Sequence, residues 1–245
     1  MKTNIRSRFF RVFWTGAAAF CALLFAVAPA ARAQTQNGTQ LRTVLEQMDA
    51  AAKAFRSAQA DFEWDQYERV VDNTDTQKGT VYFLRNGNST QMAARVKEFN
   101  GRPDAKDVVY KEGVLQFYQP AIDQMTVFHA GRNQQQYEGF LTLGFGGSGS
   151  DLEKNWRITY LGAETIDGVR TAKLDLVGKQ ASVRNMFQHV TVWVDPARAV
   201  SLKQQFFTGS GDVRTAFYRN IRYNKKVPAS VFRIKTTSRT TVVQK

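Results

Sequence analysis

Few side chains in this sequence have the type and spacing to do chemistry, and those few argue against catalysis. The histidines, His129 and His189, stand 60 residues apart, and neither neighbours a Cys, Glu or second His at ligand spacing, so the sequence offers no zinc site. Asp72-Asn73-Thr74-Asp75 alternates oxygen ligands but lacks the glycine and distal Glu of a calcium loop, and it reads as a polar hairpin turn. Gly144-Phe145-Gly146-Gly147-Ser148-Gly149 has GxGxxG spacing, with Glu164 lying 20 positions after the first glycine. That fingerprint needs a full helix after the glycines to aim its N-terminus at a pyrophosphate. Here the strand-like Arg157–Tyr160 begins only eight residues after Gly149, so a loop or lid is the better account. No Gly-x-Ser-x-Gly elbow raises the case for a hydrolase. The expectation is a non-enzymatic protein with no catalytic residue, no cofactor and no metal.

What the chain has in quantity is aromatic surface: 18 Phe, 8 Tyr and 4 Trp in 245 residues. Aromatic side chains on strands ordinarily fill a core. On a strongly curved sheet that one helix covers only in part, apolar area is left over, and an acyl chain placed there gains roughly 0.8 kcal/mol per buried CH₂.

The elements that must position these residues are legible from periodicity. Leu41, Val44, Leu45, Met48, Ala51, Ala52 and Phe55 recur at steps of three and four, which predicts one amphipathic helix ending near Ser57. From Ala60 onward the period is two: Phe62 and Trp64, Val81 and Phe83, Met92, Ala94 and Val96, then Val108 and Tyr110 alternate with polar residues. Turns are expected at Arg85–Asn88, Asn100-Gly101, Glu112-Gly113 and Asp167-Gly168. Further strands are expected at about 187–194, 200–208, 213–223 and 231–236, giving ten or eleven in all. Residues 131–155 break the pattern, and Ser150 with Glu153 has capping-box spacing for a short helix.

Compartment follows from the first residues. Lys2, Arg6, Arg8 and Arg11 precede a charge-free apolar run, Val12 to Ala31, and Ala31-Arg32-Ala33 supplies small residues before Gln34. The pattern predicts a signal peptide over 1–33, export to the periplasm, and a single mature domain, 34–245. The lone Cys21 lies inside the apolar run behind Phe20, not at the cleavage point, so the mature chain has neither a disulfide nor a lipidated cysteine. Net charge is +13 for the whole chain, and residues 213–245 carry nine Lys or Arg and no acid. Such a segment suits an anionic surface or the solvated faces of edge strands. No nucleic-acid motif accompanies it.

Four segments, in this order, resemble the LolA-like carriers of the outer-membrane lipoprotein-sorting family, with their LolB-type, LppX-type and RseB N-terminal relatives. They are Gln77–Arg85, Tyr110–Met125, Tyr160–Gly168, and Val192–Pro196 followed by Leu202–Phe207, closed by Asn220-Ile221 and Val231-Phe232. The resemblance spans residues 38–236. It implies a mainly β fold: a curved antiparallel half-barrel of about eleven strands, with an N-terminal helix and short helices as a lid over an apolar cavity. It also implies transport of lipoprotein acyl chains or other lipids from an inner-membrane exporter to an outer-membrane acceptor. A lipid-sensing envelope module is the alternative, and an envelope enzyme a more distant one. A monomer is the expected state. Phe62, Trp64, Phe83, Met92, Tyr118, Met125 and Trp193 are the expected lipid-binding wall. Arg85 matches the family arginine that latches the lid. The proline that usually follows it is absent, Asn86-Gly87-Asn88-Ser89 standing there instead.

Overall fold

The computed structural model describes residues 28–87, 89–131, 139 and 143–245, with side chains described from Asn37 onward. Two compact units divide the chain, Met1–Gln36 and Asn37–Lys245, and the second carries the sheet. The predicted export segment lies outside the described residues up to residue 27, and none of its side chains is described.

Helix α1 (Ala28–Ala54) leads into β1 (Ser57–Glu68), β2 (Asn73–Asn86), β3 (Ser89–Phe99), β4 (Arg102–Lys111), β5 (Val114–Gln119) and β6 (Gln124–His129). After α2 (Gly149–Asn155) come β7 (Trp156–Ile166) and β8 (Val169–Gly178). Then follow α3 (Ala181–Met186), β9 (His189–Asp195), β10 (Val200–Phe207), β11 (Val213–Tyr223) and β12 (Thr241–Gln244). Together the strands form one curved, unclosed sheet in the order β12-β6-β5-β4-β3-β2-β1-β11-β10-β9-β8-β7. All neighbours are antiparallel except β12 and β6. Among the described residues no helix is long and apolar enough to cross a membrane.

The expected tight turns form where the sequence placed them. Asn100-Gly101, Glu112-Gly113 and Asp167-Gly168 each have two consecutive positive φ angles, 50° and 74°, 51° and 81°, and 47° and 77°. That geometry matches the right-handed twist of the flanking strands.

Alternation gives the sheet two faces with different covers. On the inner face, Val44, Leu45 and Met48 of α1 pack against Leu174, Leu176, Val190 and Val192. A second cluster on the same face joins Phe55, Phe62, Val81, Phe83, Met92, Tyr110 and Tyr218. On the outer face, Ala93 and Val109 are covered by Phe232 from the segment that follows β11.

That segment corrects one expectation. Residues 231–236 are not a strand: a 3₁₀ turn, Ala229–Phe232, follows Pro228. Both neighbours of β11, β1 and β10, are already paired, so the chain has no free edge there and crosses the back of the sheet instead. Arg95 donates to the Val231 and Arg233 carbonyls, at 2.5 and 3.0 Å, and the Thr237 and Thr240 hydroxyls donate to Asp123. The strap then ends as β12, which lies parallel to β6.

The short helix α2 begins earlier than expected. Ser148, not Ser150, caps it, its Oγ accepting from the Asp151 amide at 3.0 Å. Ser150 donates from its amide and hydroxyl to Asp49 on α1, at 3.0 and 2.7 Å, and so pins α2 to the long helix.

Candidate ligand-binding cavity

Strand register assembles the inner face in rows. One row runs Tyr218, Phe62, Gly79, Val96, Lys106 across β11, β1, β2, β3 and β4. The next is Gln204, Ala216, Trp64, Gln77 across β10, β11, β1 and β2, and the one beyond it Phe206, Arg214, Gln66. Gly79 lacks a side chain for a physical reason: a Cβ there would stand 2.0 Å from the Arg95 carbonyl oxygen and 2.9 Å from the Phe62 ring. With that space free, Phe62 stacks on Trp64 at 4.0 Å.

Between these rows and the inner face of β3–β5 lies a cavity of about 460 Å³. This is within the ~300–1,000 Å³ of small-molecule sites. Its walls are Trp64, Met92, Val108, Phe117, Phe206 and Tyr218, an outward continuation of the core. Phe187, at the end of α3, closes one side by a tilted contact with Phe206 at 5.2 Å. The floor carries one buried polar pair. Gln204 donates to the Leu143 carbonyl at 2.5 Å and accepts from the Tyr218 hydroxyl at 3.3 Å, and burial pushes the Tyr218 phenol well above its ordinary pKa. The other polar residues of the lining gather towards the mouth, as Asp65, Gln66, Gln77, Lys106, Arg214 and Thr215.

Deeper on the same face the space is already filled. Phe145, from the glycine-rich loop, is buried, stacked on Phe83 at 4.0 Å and edge-on to Tyr218 at 4.8 Å. The glycines beside it have positive φ, 76° at Gly144 and 73° at Gly146, and each faces a neighbour that a side chain would strike, Ser201 and Phe55 respectively. Residues 143–148 are therefore a fitted plug. Arg85 holds it: Nη2 donates to the Gly146 carbonyl at 2.6 Å, and the guanidinium carbon lies 5.7 Å from the Phe55 ring centroid. The acceptor is a loop carbonyl, not the helix C-terminus that a lid helix would present.

Of the seven expected wall residues, Phe62, Trp64, Phe83 and Met92 come together on the inner face. Tyr118, Met125 and Trp193 do not. Tyr118 pairs with Asp107 and Met125, so all three share the outer face, where the Tyr118 hydroxyl donates to Asp123 at 2.9 Å. Trp193 pairs with Lys173 and Lys203, whose ammonium groups lie 4.8 and 4.5 Å from its ring, and its Nε1 donates to Glu164 at 2.7 Å. The residues missed are Phe117, Phe206 and Phe145. Phe117 was one place from the residue expected, and a shift of one place reverses the face. Among the described residues no three His, Cys, Asp or Glu side chains converge as metal ligands do.

No family model matches the sequence, and no curated protein matches it significantly. Solved structures do match its fold. An uncharacterized conserved protein from Thermus thermophilus aligns at a TM-score of 0.53 and 12% identity, over 84% of this chain and 99% of its own. MucB aligns at 0.50 and 12% identity, over 84% of this chain and 66% of its own. A LolA superfamily protein from Nitrosomonas europaea aligns at 0.39 and 16% identity, over 79% and 97%. The likeness is one of fold, and the chain shares that fold with the Thermus protein and with MucB.

Proposed function

We propose that this protein is a periplasmic carrier that binds the acyl chains of lipoproteins or other lipids on its inner face and moves them towards the outer membrane. The observation that carries this reading is the cavity of about 460 Å³, whose apolar wall continues the core to an open mouth. The donor would be an inner-membrane exporter and the acceptor an outer-membrane site, and binding needs neither cofactor nor catalysis. Release of the Arg85 latch would let the plug withdraw Phe145 from between Phe83 and Tyr218 and so lengthen the apolar slot. Each methylene buried there contributes about 0.8 kcal/mol, so a few offset one charged hydrogen bond of ~1.5–3 kcal/mol.

Native mass spectrometry of the purified protein tests the reading. A copurifying amphiphile, displaced by a fluorescent acyl probe and unaltered by incubation, is the expected result. Protein that is always free of lipid and fails to bind the probe overturns it. A second reading, a lipid-sensing module of the envelope, would use the same cavity. Transfer of a labelled lipid from the protein to vesicles separates the two, because a sensor retains its ligand until its partner binds.

A further inference from the structure

The mouth of the cavity carries both signs of charge, and among the described residues Arg214 is the cation there that has no ion pair. Strand β11 contributes Tyr218 and Ala216 to the buried inner face, and the next inner position is Arg214, exposed at the rim between Gln66 and Phe206. Across the opening stands Lys106, continuing the row of Val96 and Phe62. Gln66 and Gln77, with Asp65 and Thr215, complete the rim.

The acids nearby have partners of their own: Asp104 pairs with Lys106 at 2.8 Å and offsets its charge, Glu68 accepts from Gln66 at 2.9 Å, Asp65 accepts from Thr76 at 2.7 Å, and Asp212 is held by Ser210 and by the Arg69 amide. Among the described residues no carboxylate lies within ion-pair distance of Arg214. A guanidinium offers a planar fork of donors that matches two oxygens of a carboxylate or phosphate. Beside an apolar wall it is placed to receive the charged end of a molecule whose tail lies against Phe206, Trp64 and Phe117.

We infer that the cavity selects amphiphiles with an anionic headgroup, seated on Arg214, over neutral ones of the same chain length. This rests on the acyl-binding reading and adds a ligand class to it.

The test compares three ligands with the same twelve-carbon saturated chain, each used below its micelle concentration: laurate, monododecyl phosphate and neutral monolauroylglycerol. Affinities are read by displacement of a fluorescent acyl probe from the full-length protein. The wild type should bind one or both anions roughly tenfold tighter than the neutral lipid, the size expected for one charge-assisted contact. Arg214→Gln should remove that preference, and Arg214→Lys should restore part of it. Arg222→Gln, an exposed change elsewhere on β11, should keep it. The preferred anion identifies the headgroup, carboxylate or phosphate. Equal affinities in the wild type, an unaltered preference in Arg214→Gln, or an equal loss in Arg222→Gln would overturn the inference while leaving acyl binding standing. Competition by inorganic phosphate alone would also overturn it, as the mark of a free-anion site. Failure of all three ligands would instead overturn the acyl-binding reading and this inference with it. Arg214 is exposed, so an unchanged melting temperature in Arg214→Gln confirms that folding is not what the displacement reads.

Discussion

Phe145 lies against Phe83 with ring centroids 4.0 Å apart and planes 10° from parallel, so a loop side chain occupies inner-face space that a ligand tail could fill. Phe145→Ala should therefore change two quantities in opposite directions. Losing a buried ring costs about 3–5 kcal/mol when the site cannot collapse, which a lower urea midpoint would report. The vacated slot should tighten binding of a long-chain acyl probe. Weaker probe binding by a folded Phe145→Ala protein would show that the plug supports the cavity rather than competing with its ligand.

Arg85→Leu should keep or tighten lipid binding and slow release to liposomes. Closed and filled states compete for the same space, and the bond from Arg85 to the Gly146 carbonyl favours the closed one. The effect should be modest, at most ~1.5–3 kcal/mol, since Arg85 Nε is buried with no acceptor among the described residues and the latch is only partly satisfied. Equal transfer rates for wild type and variant, measured with a labelled lipid, would reduce Arg85 to a structural contact.

Trp64 and Trp193 lie on opposite faces of the sheet, which makes them a matched test of where the ligand sits. Trp64→Asp puts a charge on the cavity wall and should abolish acyl-probe binding. Trp193→Phe removes a hydrogen bond to Glu164 on the outer face and should leave binding unchanged while lowering stability slightly. Loss of probe binding in Trp193→Phe at full folding would move the site to the other face.

The C-terminal strap should loosen in acid. Hydrogen bonds from the Thr240 hydroxyl first, then from Thr237 and Tyr118, hold the Asp123 carboxyl below its ordinary value of 3.8. A depressed carboxylate pKa contributes stability that is present above the unfolded value and is lost as pH falls through the folded one. Amide exchange of Thr241–Gln244 should accelerate, relative to β1, as pH drops below the usual carboxylate range, after correction for intrinsic rates. Asp123→Asn should exchange quickly at neutral pH too. A neutral-pH pattern identical to wild type would mean that pairing with β6 alone holds the strap.

Much of the architecture was open to inspection in the sequence because local rules and tertiary structure agree. The long helix, ten of the strands in outline (β1–β5 and β7–β11) and the Gly-containing hairpins all follow from period and turn chemistry. The cavity was only half legible. Once Glu112-Gly113 is a two-residue turn, Lys111 must face Val114 and Val108 must face Phe117, so Phe117 follows from Val108, and Tyr118 belongs to the other side. Trp193 carried a similar signal, since it shares its parity with His189, Thr191 and Asp195 while Val190, Val192 and Val194 take the other; its outward ring is made tolerable by lysines from neighbouring strands that no local pattern reveals. The plug and the parallel β12 are long-range facts of the same kind: Phe145 is explained by Phe83, and Thr241 by Gln124.

The pairing of β1 with β11 sets when this chain can finish folding. Phe62 meets Tyr218 across that junction, so the first strand waits for one near the far end of the polypeptide. Sheets closed by such distant partners belong to the slow class, folding in milliseconds to seconds, because loop-closure entropy is spent before the contacts form. While β11 is still missing, one edge of β1 keeps its amides and carbonyls unpaired, and an open edge pairs readily with another chain. Until β11 has paired, the free edge of β1 therefore exposes this protein to self-association through that strand.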